Sequence, residues 1–233
     1  MPKYWSKPIY ELKTRSRKTI YIDVTTSVSP GLPPNKVLLE EVIPFFKRKK
    51  VHRILDFGAG ALRHTIPLLE AGFEVCAVEF EKGFSRPKCQ IALAEARDYH
   101  NFSALIWPDD FIKDTRKFDA ALLIYVLQTM PIKKEREAVI KYIYKKMPWT
   151  IVRDSYVFYA SRYGQLKGIA NKYRVSDGYY MWPSRKFHSF YTEIPTEKTH
   201  KMFKIHGFKR IRSLSKRGTD QMFLYTKGNG FWP

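Results

Sequence analysis

Two glycines one residue apart, Gly58 and Gly60, break the apolar run "ILDFGAG", and an acidic residue, Glu79, sits at the end of the next apolar run, "FEVCAVEF". Glycines straight after a buried strand permit tight backbone geometry and close ligand approach, and the following helix offers free amides at its N-terminus. A carboxylate at the end of the neighbouring strand can accept hydrogen bonds from both hydroxyls of a ribose. Either feature alone is weak, because a Gly-x-Gly is often only a turn and a strand-end Glu is usually solvated. Together, in consecutive β-type runs, they point to a ribose-bearing cofactor. A nicotinamide fingerprint would place a third glycine where Arg63 stands, and a side chain there would disturb the close helix contact.

Other reactive side chains are sparse. Cys76 and Cys89 are too few for a disulfide framework, and no Cys or His cluster shows zinc-ligand spacing, so no metal site is expected. Cys76 is expected to pack in a strand and Cys89 on a helix. His64, four residues after Gly60, is expected on a helix surface, and His188 is a weak candidate for a base.

The elements that must position the glycine turn alternate between β-type runs and helix-like stretches from Val51 onward. "HRILDF" reads as a strand and "LRHTIPLLEAG" as the helix behind it, ended by Gly72. "FEVCAVEF", "SALIW", "FDAALLIYVL" and "IVRDSYVFYAS" read as further strands. A helix opened by Ser85 with Pro87 just inside, a second in "KKEREAVIKYIYKKM" and a third in "TEKTHKMFKIHG" separate them. "FKRIRSL" and "QMFLYT" form a terminal strand pair. Strands as apolar as "AALLIYVL" must be covered on both sides, which makes the fold class α/β: a doubly wound, mostly parallel sheet with helices on both faces.

At 233 residues the chain fits one domain, 1–233, burying roughly 70–75% of its unfolded surface. Residues 1–35 read as a basic arm and a Pro-rich loop, "TTSVSPGLPPNK". "NKVLLEEVIPFFKRKK" then has the spacing of an amphipathic helix started by Asn35 and bent at Pro44. Residues 162–195 read as an irregular insertion on the substrate side.

In its motifs "ILDFGAG" and "AVEF", and in most of its length from Asn35 to Lys227, the chain resembles the class I S-adenosylmethionine-dependent methyltransferases. The resemblance implies a seven-stranded sheet whose last strand is antiparallel, with S-adenosylmethionine as cofactor. It implies that Gly58, Ala59 and Gly60 lie under that cofactor, that Asp56 orients its methionine amino end, and that Glu79 holds the ribose with Phe80 beside it. Asp109 or Asp110 in "WPDDF" would receive the adenine amino group. "YVLQTMP" matches the segment that flanks the sulfonium, so Tyr125, Val126, Leu127 and Gln128 are candidates for that wall, with Tyr125 and Gln128 as weak catalytic candidates.

The acceptor is less legible, because displacement at an activated sulfonium is achieved largely by positioning. An Asp/Asn-Pro-Pro-Tyr segment for amino-group methylation of adenine is absent, as is a Pro-Cys nucleophile for cytosine C5. In the 162–195 segment, Tyr179, Tyr180, Trp182, Arg185 and Tyr191 combine rings that can stack on bases with a cation for phosphate. Lys and Arg number 42 against 22 Asp and Glu, a net charge of +20, and every ionised side chain from Lys198 to Arg217 is basic. Such charge favours polyanionic partners. The expectation is a methyltransferase acting on nucleic acid, RNA before DNA. The alternatives are a small-molecule or protein methyltransferase, and a non-catalytic cofactor-binding nucleic-acid module. No apolar run approaches the ~20 residues that span a bilayer, and no signal-peptide pattern follows the N-terminus, so no membrane partner and a cytoplasmic location are expected.

Overall fold

The computed structural model describes residues 7–27, 31–148, 154–181, 186–214 and 220–227. A hairpin of β1 (Ile9–Lys13) and β2 (Thr19–Asp23) comes first. A helical stretch follows, with a π-helical turn over Leu38–Val42 leading into α1 (Ile43–Arg48). The alternating part runs β3 (Arg53–Phe57), α2 (Thr65–Glu70), β4 (Glu74–Phe80), α3 (Glu81–Phe84), α4 (Pro87–Arg97), β5 (Phe102–Trp107), α5 (Asp109–Lys113), β6 (Ala120–Ile124), α6 (Lys133–Lys146) and β7 (Ser155–Arg162). Three short strands, β8 (Arg174–Val175), β9 (Gly178–Met181) and β10 (Ser189–Tyr191), precede α7 (Thr196–Ile205), β11 (Phe208–Ser213) and β12 (Asp220–Lys227).

The central sheet has the order β5-β4-β3-β6-β7-β12-β11, with β12 antiparallel to both its neighbours. Successive residues of its strands enter opposite cores. Ile54 and Leu122 pack with Phe46, Leu68 and Leu93 on one face, while Leu55, Ala121 and Leu123 pack with Val139, Ile143 and Phe203 on the other. That period of two, with both phases apolar, is why the strands are continuous hydrophobic runs. The chain moves outward from β3 to β5 and then returns to β6, which makes the gap between β3 and β6 the topological switch point.

The local signals read from the sequence have specific outcomes. Asn35 starts its helix, its Oδ1 accepting the Leu38 N–H at 3.1 Å. The irregularity near Pro44 is the π turn before it rather than a bend after it. Ser85 is not the cap of α4: Arg86 holds that position, and the Ser85 hydroxyl donates to the Lys82 carbonyl at 3.0 Å.

Residues 1–35 hold a hairpin where a basic arm and a Pro-rich loop were expected, and 162–195 hold a three-stranded antiparallel sheet where an irregular insertion was expected. The two join: the Asp23 N–H donates to the His188 carbonyl, and the His188 N–H to the Tyr21 carbonyl, each at 2.9 Å. The resulting lid has its own core of Tyr10, Ile20, Ile22, Val175 and Phe190. It is fastened to the main body by Lys82–Asp23 at 2.7 Å and by the Arg86 guanidinium donating to the Thr25 hydroxyl at 3.0 Å. The more buried residues, Tyr10 and Leu12 in "IYELK" and Ile20 and Ile22 in "TIYID", alternate with exposed ones, but the consecutive Ile-Tyr pairs and the surrounding basic residues obscure that half-buried pattern in the sequence.

Candidate active site

A cavity of about 500 Å³ opens at the switch point, above Phe57 of β3, Phe80 of β4 and Ile124 of β6. The glycine turn forms its floor. Gly58 and Gly60 have φ of +74° and +55°, values that favour glycine. The Gly58 and Ala59 N–H groups both donate to the Val78 carbonyl, at 2.8 and 3.1 Å, which pins the turn to β4. The space above Gly58 belongs to Val126: a Cβ on Gly58 would lie 2.5 Å from Val126 Cγ2.

Glu79 is the polar centre of this end. Its Oε2 accepts the Gly60 N–H at 3.1 Å and its Oε1 the Phe80 N–H at 2.8 Å. Gly83 leaves room for it, since a Cβ there would come 2.5 Å from Glu79 Cγ. Burial raises its pKa to about 6, outweighing the two amide bonds and nearby Arg86. Asp56 lies deeper, 2% exposed, with Oδ2 accepting the Thr65 hydroxyl at 2.7 Å. Burial takes it to about 6 as well, against the Thr65 bond and Arg63. His64 is buried at the N-terminus of α2 rather than on a helix surface, and its Nε2 has no partner. Burial and then Arg63 push it down to about 3, so the ring is neutral at physiological pH.

At the β6 end, Tyr125 leaves the strand with φ +61° and donates its hydroxyl to Asp220 Oδ2 at 2.8 Å. Burial and then Asp220 raise its pKa to about 12. Arg63 and Arg162 lie over its ring, at 5.6 and 5.2 Å from the centroid. Gln128 is a buried strut: its Oε1 accepts the Arg162 N–H and its carbonyl the Thr192 N–H, both at 2.8 Å. Under the lid, the Tyr10 hydroxyl donates to Glu135 Oε2 at 2.5 Å, while Glu135 Oε1 is buried with no partner. Burial lifts Glu135 to about 7 against the Tyr10 bond and Arg136.

The structure therefore gathers Gly58, Ala59, Gly60, Glu79, Phe80, Tyr125, Gln128 and Tyr191 around one cavity, with Asp56 just beneath. Asp109 and Asp110 are exposed on the first turn of α5, where Asp110 Oδ2 accepts the Ile106 N–H at 3.2 Å. At that strand end Trp107, not either carboxylate, lines the cavity. Tyr179, Tyr180 and His188 belong to the lid; the His188 ring lies 5.0 Å from that of Tyr180, and none of the three is in the cavity wall. Trp182 and Arg185 lie outside the described residues. Sequence reasoning missed Tyr10, Trp107, Glu135 and Arg162. Glu135 stands in "KKERE", which reads as a solvated helix face, and only its place under the lid buries it.

No family model and no curated protein matches the sequence. Solved structures do match. The CcbJ methyltransferase from Streptomyces caelestis superposes with a TM-score of 0.62 at 13% identity, over 87% of this chain and 94% of that one. Magnesium protoporphyrin IX methyltransferase from Synechocystis PCC 6803 with bound SAH gives 0.56 at 17% identity, over 82% of each chain. The Burkholderia thailandensis 1,6-didemethyltoxoflavin-N1-methyltransferase, with its substrate and S-adenosylhomocysteine bound, gives 0.56 at 15% identity, over 88% of this chain and 80% of that one. In strand order, in the antiparallel strand and in overall superposition, this chain has the fold of the S-adenosylmethionine-dependent methyltransferases.

Proposed function

We propose that the protein is an S-adenosylmethionine-dependent methyltransferase whose acceptor is a small molecule held beneath the lid. The reading is carried by Glu79, locked by the Gly60 and Phe80 amides at the head of a cavity on the switch point. A buried carboxylate that faces a cavity and is held by backbone suits a ribose diol, and the apolar walls Phe80 and Trp107 suit a flat base. The fit is therefore good, with Glu79, Gly60, Ala59 and Phe80 holding the cofactor. When bound, that cofactor supplies a methyl group already activated on a sulfonium. What the chain contributes is placement: the turn fixes one partner, and Tyr125, Gln128 and the lid residues Tyr10 and Tyr191 bound the space for the other. A lid over the cavity excludes water and limits the acceptor to what fits under it.

The preference for a small molecule over nucleic acid rests on that roof. The +20 net charge favours the second reading, a nucleic-acid acceptor with RNA ahead of DNA. Incubation with methyl-labelled S-adenosylmethionine and separate pools of metabolites, RNA, DNA and protein decides between them. Label in the metabolite pool is expected, and label in the RNA pool alone would establish the second reading. Absence of both label and S-adenosylhomocysteine binding would remove the proposal, while binding without transfer to any pool would indicate a non-catalytic module.

A further inference from the structure

Arg63 and Arg162 come from opposite ends of the site, one from the loop after β3 and the other from the end of β7, and both line the cavity. Both lie over the Tyr125 ring, and burial first, then the charge of Arg162, lower the pKa of Arg63 against Tyr125 and Asp56. Two half-buried guanidiniums that repel each other are costly unless an anion answers them. Among the described residues neither forms an ion pair. The carboxylates in the vicinity each have an oxygen taken by another donor: Asp56 Oδ2 accepts from Thr65, Asp220 Oδ2 from Tyr125 and Glu193 Oε1 from the Leu166 N–H, and of these only Asp56 offsets the Arg63 charge, without forming an ion pair with it. The Arg162 backbone N–H donates to Gln128 Oε1 at 2.8 Å, while its guanidinium is held over the Tyr125 ring. A third donor lines the same cavity: the Tyr191 hydroxyl is buried without a hydrogen-bond partner, and burial first and Glu193 second raise its pKa against the opposing charge of Arg162.

We infer that Arg63, Arg162 and the Tyr191 hydroxyl form an oxyanion-binding corner that takes a carboxylate or phosphate group of the methyl acceptor. Guanidiniums present paired N–H donors in a plane that matches such groups, and the cation–π contacts with Tyr125 restrain both side chains before the anion arrives. The corner is distinct from the Glu79 end of the cavity. Glu79 is on β4 and Arg162 on β7, three strand positions apart in the order β4-β3-β6-β7, or about 14 Å at the usual strand spacing. The anion site stands on this geometry, whereas its assignment to the acceptor rests on the methyltransferase reading.

The test is calorimetric titration of inorganic phosphate into the full-length protein in about 0.15 M salt, where diffuse surface attraction is screened beyond about 8 Å. It is run with and without saturating S-adenosylhomocysteine, on the wild type, Arg162→Gln, Arg63→Gln and the exposed-site control Arg212→Gln. Phosphate is expected to bind the wild type in both conditions and to bind Arg162→Gln and Arg63→Gln at least tenfold more weakly. Arg212→Gln should bind as the wild type does, and S-adenosylhomocysteine affinity should change less than threefold in Arg162→Gln. Phosphate is also expected to raise the melting temperature of the wild type but not of Arg162→Gln, a readout that checks folding of the variant.

Equal phosphate affinity in wild type and Arg162→Gln, or equal losses in Arg162→Gln and Arg212→Gln, would overturn the site. Competition between phosphate and S-adenosylhomocysteine, or a tenfold loss of S-adenosylhomocysteine affinity in Arg162→Gln, would overturn its assignment to the acceptor. Arginine-dependent phosphate binding in a protein that does not bind S-adenosylhomocysteine would leave the corner standing while removing the proposed function.

Discussion

Gly58→Ala tests the link between the turn and the wall above it. Two costs add. A non-glycine residue at φ +74° loses about 1–2 kcal/mol to the left-handed backbone. Its Cβ would also stand 2.5 Å from Cγ2 and 3.2 Å from Cγ1 of Val126, and overpacking of this kind costs roughly 1–3 kcal/mol. Val126 cannot swing aside freely because β-branching restricts its χ1. The turn cannot retreat either without stretching the 2.8 Å bond from the Gly58 N–H to Val78. The expected loss is about 2–5 kcal/mol, or roughly 4–20 °C in melting temperature for a chain of this length. In Gly58→Ala/Val126→Ala the clash goes and the backbone cost stays, so denaturant unfolding of the four proteins should give a coupling of about 1–3 kcal/mol. Additive effects, or a single variant as stable as the wild type, would refute the argument that Val126 occupies the space over Gly58.

Glu79→Gln should lower S-adenosylhomocysteine affinity at least tenfold in calorimetry, because an amide accepts fewer hydrogen bonds than a carboxylate and its NH₂ faces the Gly60 and Phe80 donors. Asp56 is raised to about 6 in the folded protein, so its contribution to stability is full below its unfolded pKa near 4 and is lost as pH rises through about 6. Asp56→Asn mimics the protonated acid; relative to wild type it should gain roughly 2–3 kcal/mol between pH 4 and 7.5 in urea unfolding, and a constant difference would contradict this. Tyr10→Phe leaves both Glu135 oxygens without a donor, at a cost of about 1–3 kcal/mol, and removes the bond that holds the Glu135 pKa down. Its carboxyl stretch in infrared titration should therefore persist to a pH above 7, and limited proteolysis should cut the β1–β2 hairpin faster. The His64 ring, at about 3, should show no protonation shift by NMR between pH 8 and 4.5.

The alternation of strands and helices, the seven-stranded sheet and the floor of the site follow from the sequence because their causes are local. Apolar runs such as "AALLIYVL" must be buried on both faces, Gly58 and Gly60 stand where φ is positive, and Glu79 ends the strand beside the turn. The roof and walls do not follow, because they depend on contacts between residues far apart in the chain. Tyr10 reaches Glu135 across 125 positions and Tyr125 reaches Asp220 across 95. The basic N-terminal segment forms a hairpin whose second strand is held by the backbone of His188, just before β10. The charge of Glu135 reads as solvated in "KKERE", and Arg162 looks like the frayed end of a strand. Only the folded arrangement buries the first under the lid and turns the second toward Arg63, since burial and electrostatic proximity belong to the tertiary structure and not to the local sequence.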